Sequence, residues 1–282
     1  MGTTRKVRIK LRRQPTLEGA GVHLNRAFGY NEAPELDPFL LLDDFRSDIP
    51  EHYLKGFPWH PHRGIETITY VLKGDVAHGD SMGNKGVTSS GDVQWMTAGS
   101  GIIHQEMPKG NADGSMHGFQ LWANLPARQK MMPPRYRGIT ADQIPEVKLP
   151  NGVRMKIIAG MINDVRGPME EIVIDPEYFD CTVPTGETYV HTTNPAYTAF
   201  IYVIGGRGMT DDTELENGIL VLFEAGDQLS VKAGGEDLRF LLLTGMPLNE
   251  PVAWRGPIVM NTQEELETAF REYREGTFIK DP

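Results

Sequence analysis

The sequence contains almost no cysteine. Cys181 is the single cysteine among 282 residues, so no intramolecular disulfide can form. This excludes a disulfide-stabilised scaffold and a zinc site built from cysteines, and it is typical of a reducing compartment. Cys181 also has no histidine beside it in the sequence, which argues against a nucleophilic role.

Long apolar runs and an excess of positive charge are also missing. No apolar run approaches the roughly 20 residues that a membrane helix needs, and the first residues lack the apolar stretch of a secretion signal. The net charge of −10 disfavours general binding to nucleic acids. We therefore expect a cytoplasmic protein (nuclear is possible if the source is eukaryotic) with no membrane partner and no direct nucleic-acid partner.

The one basic cluster runs from Arg5 to Arg13. Val7, Ile9 and Leu11 alternate there with basic residues, which is the period of a β-strand. A strip that binds a polyanion is one interpretation. We favour the exposed side of an edge strand protected by charge.

Glycine and proline, by contrast, are abundant, with 31 and 20 residues. Such frequent turn residues favour many short strands. Runs rich in β-branched and aromatic residues predict strands at 65–72, 92–97, 119–123, 199–204, 219–223 and 238–243. Near the end, Thr262 and Glu265 form a capping-box pattern and Gly276 can end a helix. The predicted fold is all-β with one short C-terminal helix.

A weak internal repeat suggests a duplicated β-domain. The segment 70–74 resembles 202–206, and we match Gly91-Asp92 to Gly226-Asp227. Five prolines between Leu125 and Asn151 predict a linker. We therefore expect two domains, residues 1–135 and residues 136–282, of which the second lacks metal ligands.

Four polar residues of the first domain have the spacing of a metal site. His60 and His62 are one residue apart, and so are His104 and Glu106. On extended segments both members of each pair point to the same side and can bind one ion. Three imidazoles and a carboxylate suit a divalent first-row metal, with iron(II) expected first and nickel, copper, manganese or zinc as alternatives. An HPH triplet can also be a simple surface turn.

The second copy provides an internal control for this prediction. Counting from Gly226 as from Gly91, we expect Arg239 and Leu241 where the first copy has His104 and Glu106. Neither residue can replace these ligands. The region that matches His60 and His62 retains only His191.

Four longer motifs resemble the pirin family of the cupin superfamily. They are DPFLLLDDF (37–45), PWHPHRGIETITYVLKG (58–74), GDVQWMTAGSGIIHQE (91–106) and GMPLNEPVAWRGPIVMN (245–261). The resemblance implies two cupin (jelly-roll) β-barrels in tandem, with metal only in the N-terminal one. It implies His60, His62, His104 and Glu106 as ligands and a structural role for Glu66.

Two functions of different classes follow from that resemblance. One is a metal-dependent dioxygenase of the quercetin 2,3-dioxygenase type, which cleaves a flavonol with O₂ and releases carbon monoxide. Glu106 would then be the catalytic base. The alternative is a regulatory protein that senses metal or redox state and binds a transcription factor or a metabolic enzyme. We expect a monomer, because the duplication already pairs two barrels.

Overall fold

The computed structural model describes residues 2–170, 172–174 and 176–280. Twelve strands precede residue 142: β1 (Val7–Arg12), β2 (Gln14–Glu18), β3 (Val22–Phe28), β4 (Phe39–Asp44), β5 (Phe57–His62), β6 (Ile65–Lys73), β7 (Asp75–Asp80), β8 (Lys85–Thr88), β9 (Val93–Thr97), β10 (Ile102–Lys109), β11 (His117–Asn124) and β12 (Arg135–Ile139). The strands that follow are β13 (Glu146–Lys148), β14 (Arg154–Ala159), β15 (Met161–Ile162), β16 (Val165–Arg166), β17 (Glu177–Val183), β18 (Thr188–Thr192), β19 (Thr198–Gly205), β20 (Arg207–Thr210), β21 (Thr213–Glu216), β22 (Ile219–Phe223), β23 (Gln228–Ala233), β24 (Leu238–Gly245), β25 (Ala253–Arg255) and β26 (Ile258–Met260).

The helices are few and short. Among the described residues, four single-turn 3₁₀ helices lie at Ala33–Glu35, Pro50–His52, Ala127–Gln129 and Ala141–Gln143, and one α-helix, α1, spans Gln263–Glu275. The Thr262 side chain accepts a hydrogen bond from the Glu265 amide, and Gly276 ends the helix in the left-handed conformation. The predicted all-β fold with one capped C-terminal helix is confirmed, and each of the six predicted strands is present with its ends within two residues of the prediction.

The described chain forms two compact units. The histidine unit comprises Gln14–Pro34, Phe39–Ala141 and the described residues from Leu248 onward. The second unit comprises the described residues up to Arg13, Glu35–Pro38 and Asp142–Pro247. Neither unit is continuous in sequence, so a single cut does not reproduce them. The boundary after residue 135 stays a prediction about separately folding domains.

Each unit contains a wide and a narrow antiparallel sheet. In the histidine unit the wide sheet has the order β12-β9-β6-β11-β4-β3-β2 and the narrow sheet β5-β10-β7-β8. In the second unit the orders are β1-β22-β19-β24-β17-β14-β13 and β18-β23-β20-β21. In each unit apolar side chains of the wide and the narrow sheet pack against each other, for example Val71 with Val76 and Ile201 with Val231.

Apart from one edge strand, which is β12 in the histidine unit and β1 in the second unit, the wide and narrow sheets of the two units have the same strand order and connectivity, which confirms the internal duplication. Tyr70 and Tyr202 lie on equivalent central strands, β6 and β19, as predicted. The match between Gly91 and Gly226 was wrong, because Gly91 precedes β9 whereas Gly226 follows β22, the strand equivalent to β9. Loops of different length in the two copies shift the count by one strand.

The segment predicted as a linker is partly structured. β12 completes the wide sheet of the histidine unit by pairing with β9, and β13 pairs with β14 in the second unit. The basic cluster forms β1, an edge strand paired with β22. Arg8 and Arg12 make ion pairs with Glu35 and Glu216 at its exposed side, so the edge-strand interpretation is confirmed. Among the described helices, none has the length and apolar character required to cross a bilayer.

Candidate metal centre

The two sequence pairs that suggested a metal site lie on neighbouring strands. β10 pairs with β5, and His104 stands directly opposite His60. His62 and Glu106 each follow two residues further along their strands, where side chains return to the same face. The strand register therefore gathers residues that are more than 40 positions apart in the sequence.

Three imidazoles meet inside the histidine unit. The ring centroids of His60, His62 and His104 are 4.4 to 4.9 Å apart, and one nitrogen of each lies within 4.8 Å of the others. This group could hold a metal ion. Glu106 lies on the same strand but outside this group of three.

The nitrogens of His60 and His62 are arranged as for a shared ion. Each Nδ1 contacts a backbone carbonyl, that of Pro58 at 2.8 Å and that of Pro257 at 3.0 Å. Carbonyls only accept, so each Nδ1 carries the hydrogen and each Nε2 presents a lone pair. The two Nε2 atoms are 3.0 Å apart, the separation expected for ligands at about 2.1 Å from one ion and at right angles to each other.

His104 has no hydrogen-bond partner among the described residues. It is fully buried, and both of its ring nitrogens lack a hydrogen bond. A buried polar group without a partner is costly, and a metal would remove that cost. Burial lowers the pKa of His62 and of His104 well below the ordinary imidazole value, and the neighbouring imidazoles act in the same direction. Neutral imidazoles are the form that binds metal.

Glu106 is held by two hydrogen bonds. Thr69 Oγ1 donates to Glu106 Oε1 at 2.9 Å, and Gln120 Nε2 donates to Glu106 Oε2 at 2.7 Å. Trp122 Nε1 in turn donates to Gln120 Oε1 at 3.0 Å. This chain fixes a buried carboxylate beside the three imidazoles. Whether Glu106 binds the ion stays a prediction.

Glu66 lies elsewhere. It alternates with Thr69 across β6, so it points to the opposite face of the sheet. Its Oε1 accepts a hydrogen bond from Thr97 at 2.6 Å, and burial raises its pKa. This position agrees with the structural role that we expected.

A cavity of about 590 Å³ opens beside His60 and His62, a size typical of small-molecule sites. Its aromatic lining includes Tyr30, Trp122 and Trp254, with centroids 5.4 Å apart for Tyr30 and Trp254 and 6.0 Å for the two tryptophans. Trp59, the residue before His60, is about half exposed and does not line the cavity.

The cavity also has a charged part. Arg26 donates to both carboxylate oxygens of Asp43 at 2.8 Å, and its Nη2 lies 2.9 Å from Glu18. All three residues line the cavity. Burial raises the pKa of Asp43 to about 6, although the Arg26 guanidinium acts in the opposite direction.

Several residues that complete the site were not predicted from the sequence. Gln120, Trp122, Trp254 and Pro257 come from β11 and from the C-terminal segment. Trp254 and Pro257 lie within the motif 245–261, but only the meeting of distant segments brings all four residues to the histidines. His78, also unassigned, is buried 5.5 Å from the His104 ring and contacts Asp80.

In the second unit, apolar side chains occupy the positions equivalent to His104 and Glu106. His191 pairs with Leu229 as His60 pairs with His104, and Val231 stands where Glu106 stands. The predicted counterparts Arg239 and Leu241 were wrong, because they lie on β24, the equivalent of β11. His191 bonds to Tyr189 and Glu177. No metal group was found among the described residues of this unit.

Comparison with family models agrees with this picture of two related barrels. The model described as Pirin matches residues 21–123, and the model described as Pirin C-terminal cupin domain matches residues 178–279. The two cupin domains expected from the sequence motifs are therefore confirmed.

Individual proteins match over nearly the whole chain. A Pseudomonas aeruginosa protein named "Putative quercetin 2,3-dioxygenase" is 42% identical over 272 residues, 93% of this chain and 94% of that protein. A pirin-like protein of Caulobacter vibrioides is 43% identical, covering 94% of this chain and 96% of that protein. A crystal structure of quercetin 2,3-dioxygenase from Acinetobacter baumannii superposes with a TM-score of 0.89 at 33% identity, covering 98% of both chains.

Proposed function

Because the chain belongs to the pirin family, we propose that it is a metal-dependent dioxygenase that cleaves a flavonol such as quercetin. The observation that carries this proposal is the group of three imidazoles, two of which, His60 and His62, line an aromatic cavity. Two of the similar proteins are named for this activity.

His60, His62, His104 and Glu106 would hold one divalent transition metal, iron(II) first. Nickel, copper, manganese and zinc suit the same donors, because imidazole and carboxylate bind all of these ions. Such a metal, when bound, acts as a Lewis acid that lowers the pKa of a coordinated hydroxyl and mediates the reaction with O₂.

The aromatic residues of the cavity suit a flat substrate. Trp122 and Trp254 can pack against its rings, which would place the flavonol 3-hydroxyl and the adjacent ketone at the histidine end. Glu106, held by Thr69 and Gln120, then takes the proton of the 3-hydroxyl. In the overall reaction both oxygen atoms of O₂ enter the ester product, and one ring carbon leaves as carbon monoxide.

The test is oxygen uptake with quercetin by protein reconstituted separately with iron(II), nickel, copper, manganese and zinc. Metal-free protein and a His62→Ala variant serve as controls for uncatalysed flavonol oxidation. Uptake that requires both a metal and His62, with stoichiometric carbon monoxide, supports the dioxygenase. Stoichiometric metal loading without uptake for every ion would refute it. The regulatory alternative would then be tested by capture of a protein partner that depends on the oxidation state of the metal.

Substitution of Glu106 tests its role as the base. Glu106→Gln keeps the side-chain shape and an oxygen that can still bind the ion, but it cannot take a proton. We expect metal content to be retained and kcat to fall by about 100-fold or more, within the range for loss of a general base. Turnover of this variant at the wild-type rate would contradict the assignment.

A further inference from the structure

Three polar residues form a row across the wide sheet of the histidine unit. Arg26 on β3 lies directly opposite Asp43 on β4, and Asp43 lies directly opposite Gln120 on β11. Directly opposed residues share a face of the sheet, and all three line the cavity. The row therefore runs from Gln120, the partner of Glu106, to the charged part of the cavity.

Asp43 has free acceptor capacity toward the cavity. Each of its oxygens accepts one hydrogen bond from Arg26, whereas an ionised carboxylate offers about four acceptor positions. The Asp43 side chain is mostly buried and is held in one orientation by the two-point contact. It is thus a fixed acceptor in the cavity wall.

The charges of this region sum to a negative value. Among the described residues that line the cavity, the ionised carboxylates are Glu18 and Asp43 and the guanidinium is that of Arg26. One positive and two negative groups leave an excess negative charge. This favours hydrogen-bond donors and repels anions at the charged end of the cavity.

We propose that Asp43, oriented by Arg26, determines substrate specificity. It accepts hydrogen bonds from hydroxyl groups on the part of the flavonol that lies away from the histidines. Together with Glu18, it excludes anionic substituents. This inference rests on the proposed function, because it assumes that the flavonol chelates at the histidine end. The substrate class is accordingly a neutral polyhydroxylated aromatic compound with one chelating hydroxyl, and sulfated or carboxylated analogues are poor ligands.

The test measures binding without turnover. Metal-loaded protein is titrated under nitrogen at pH 8 with quercetin, with 3-hydroxyflavone, which lacks the other ring hydroxyls, and with a quercetin sulfated on the catechol ring. Quenching of tryptophan fluorescence reports occupancy, because Trp122 and Trp254 line the cavity. Turnover of the two unsulfated compounds is then measured in air.

Asp43→Asn is the central variant. In the wild type we expect quercetin to bind about 10- to 100-fold more tightly than 3-hydroxyflavone, the range for a hydrogen bond to a charged group. The variant should lose most of this ratio and should bind the sulfated analogue more tightly than the wild type does. Glu18→Gln, at a more exposed position, should leave the ratio of quercetin to 3-hydroxyflavone affinity unchanged. It should improve binding of the sulfated analogue by a smaller factor than Asp43→Asn does.

Asp44→Asn is the matched control. Asp44 is the next residue of the same strand and is also buried and paired with an arginine, Arg46, but it points to the opposite face and does not line the cavity. It reproduces the loss of a buried ion pair without altering the cavity. We expect it to lower stability and to leave the quercetin to 3-hydroxyflavone ratio at the wild-type value.

The outcomes separate this inference from the proposed function. If O₂ is consumed but Asp43→Asn keeps the wild-type ratio, the specificity role is refuted and the dioxygenase stands. If the ratio collapses in Asp43→Asn only, while no metal form consumes O₂, the binding role stands and the dioxygenase is refuted. If Asp44→Asn lowers the ratio as much as Asp43→Asn does, the effect is structural and the inference fails. A wild type that binds neither flavonol overturns both.

Discussion

Gly64, two residues after His62, is the position at which one added methyl group should damage the metal centre most selectively. Its φ is +79°, a conformation that L side chains rarely adopt. A Cβ built there would lie 2.0 Å from the carbonyl oxygen of Val259 on β26, so one of the two backbones must move. Gly64→Ala therefore perturbs the contact between the turn that follows His62 and the segment after Leu248.

The loss in the free energy of unfolding caused by Gly64→Ala follows from the hydrogen bonds at this contact. Lys130 Nζ donates to the carbonyl of Gly64 at 2.8 Å and to that of Val259 at 3.0 Å. Separation of these carbonyls breaks one or both bonds. Burial lowers the pKa of Lys130 to about 7, so at pH 6, the pH chosen for the assay, the donor is charged and each bond contributes about 1.5–3 kcal/mol. The left-handed conformation adds about 1–2 kcal/mol for alanine. A loss of about 3–8 kcal/mol is expected, which is large against the roughly 5–15 kcal/mol stability of most proteins.

Gly83→Ala is the control that isolates the conformational term. Gly83 has φ +86°, and a Cβ there would meet no atom within 4 Å. Gly83→Ala should lower the free energy of unfolding by only about 1–2 kcal/mol. The difference between the two variants measures the steric contact together with the Lys130 hydrogen bonds that it breaks.

The assay is urea unfolding of the metal-free proteins followed by tryptophan fluorescence. The four tryptophans (Trp59, Trp95, Trp122 and Trp254) all belong to the histidine unit, so the signal reports this unit without a contribution from the other. Metal-free protein avoids the stabilisation that ligand binding adds. We expect the unfolding midpoint to fall much further for Gly64→Ala than for Gly83→Ala. Equal midpoints, with wild-type metal affinity in both variants, would refute the reasoning.

Two further predictions concern the site. The preference for quercetin over 3-hydroxyflavone should weaken as the pH falls from 8 through about 6. Burial raises the pKa of Asp43 to about 6, and a protonated carboxyl is a poorer hydrogen-bond acceptor, while the facing charges of Arg26 and Glu18 remain. Fluorescence titrations at several pH values measure the effect. His104→Ala should lower metal affinity by more than about 100-fold, which exceeds the loss usual for a residue that only supports a ligand. Competition with a chelator measures the affinity, with His23→Ala as the control variant. Equal affinities of the two variants would contradict the assignment.

The local patterns predicted those parts of the site that lie within single strands. His60 and His62 alternate on one strand and His104 and Glu106 on another, so period-two spacing was sufficient to group each pair. The meeting of the two pairs depends on the register of β5 with β10, which spacing along the chain does not specify. The same limit explains the wrong match of Arg239 to His104, since a count along the sequence cannot detect loops of different length.

The residues that shape the cavity could not be inferred for a related reason. Trp122 and Trp254 are 132 positions apart, and although Trp254 lies in the motif 245–261, no spacing along the sequence relates the two tryptophans. Each lines the cavity only because β11 is central in the wide sheet and because the residues after Leu248 rejoin the histidine unit. Core and strand positions follow from periodicity, whereas a cavity depends on which distant segments are neighbours.

The C-terminal segment therefore belongs to the metal centre as much as the histidine motif does. The carbonyl of Pro257 fixes the hydrogen of His62 on Nδ1 and leaves Nε2 free to bind an ion, and Gly64 permits the close approach of Val259 that holds this segment in place. Trp254, four residues before Ile258, supplies part of the cavity wall. Because these residues follow the second unit in the sequence, the ligand geometry of His62 is complete only when the chain after residue 248 has folded onto the strands that begin near residue 14. The duplication thus supplies two similar barrels, and the return of the C-terminal segment to the first of them completes the site there.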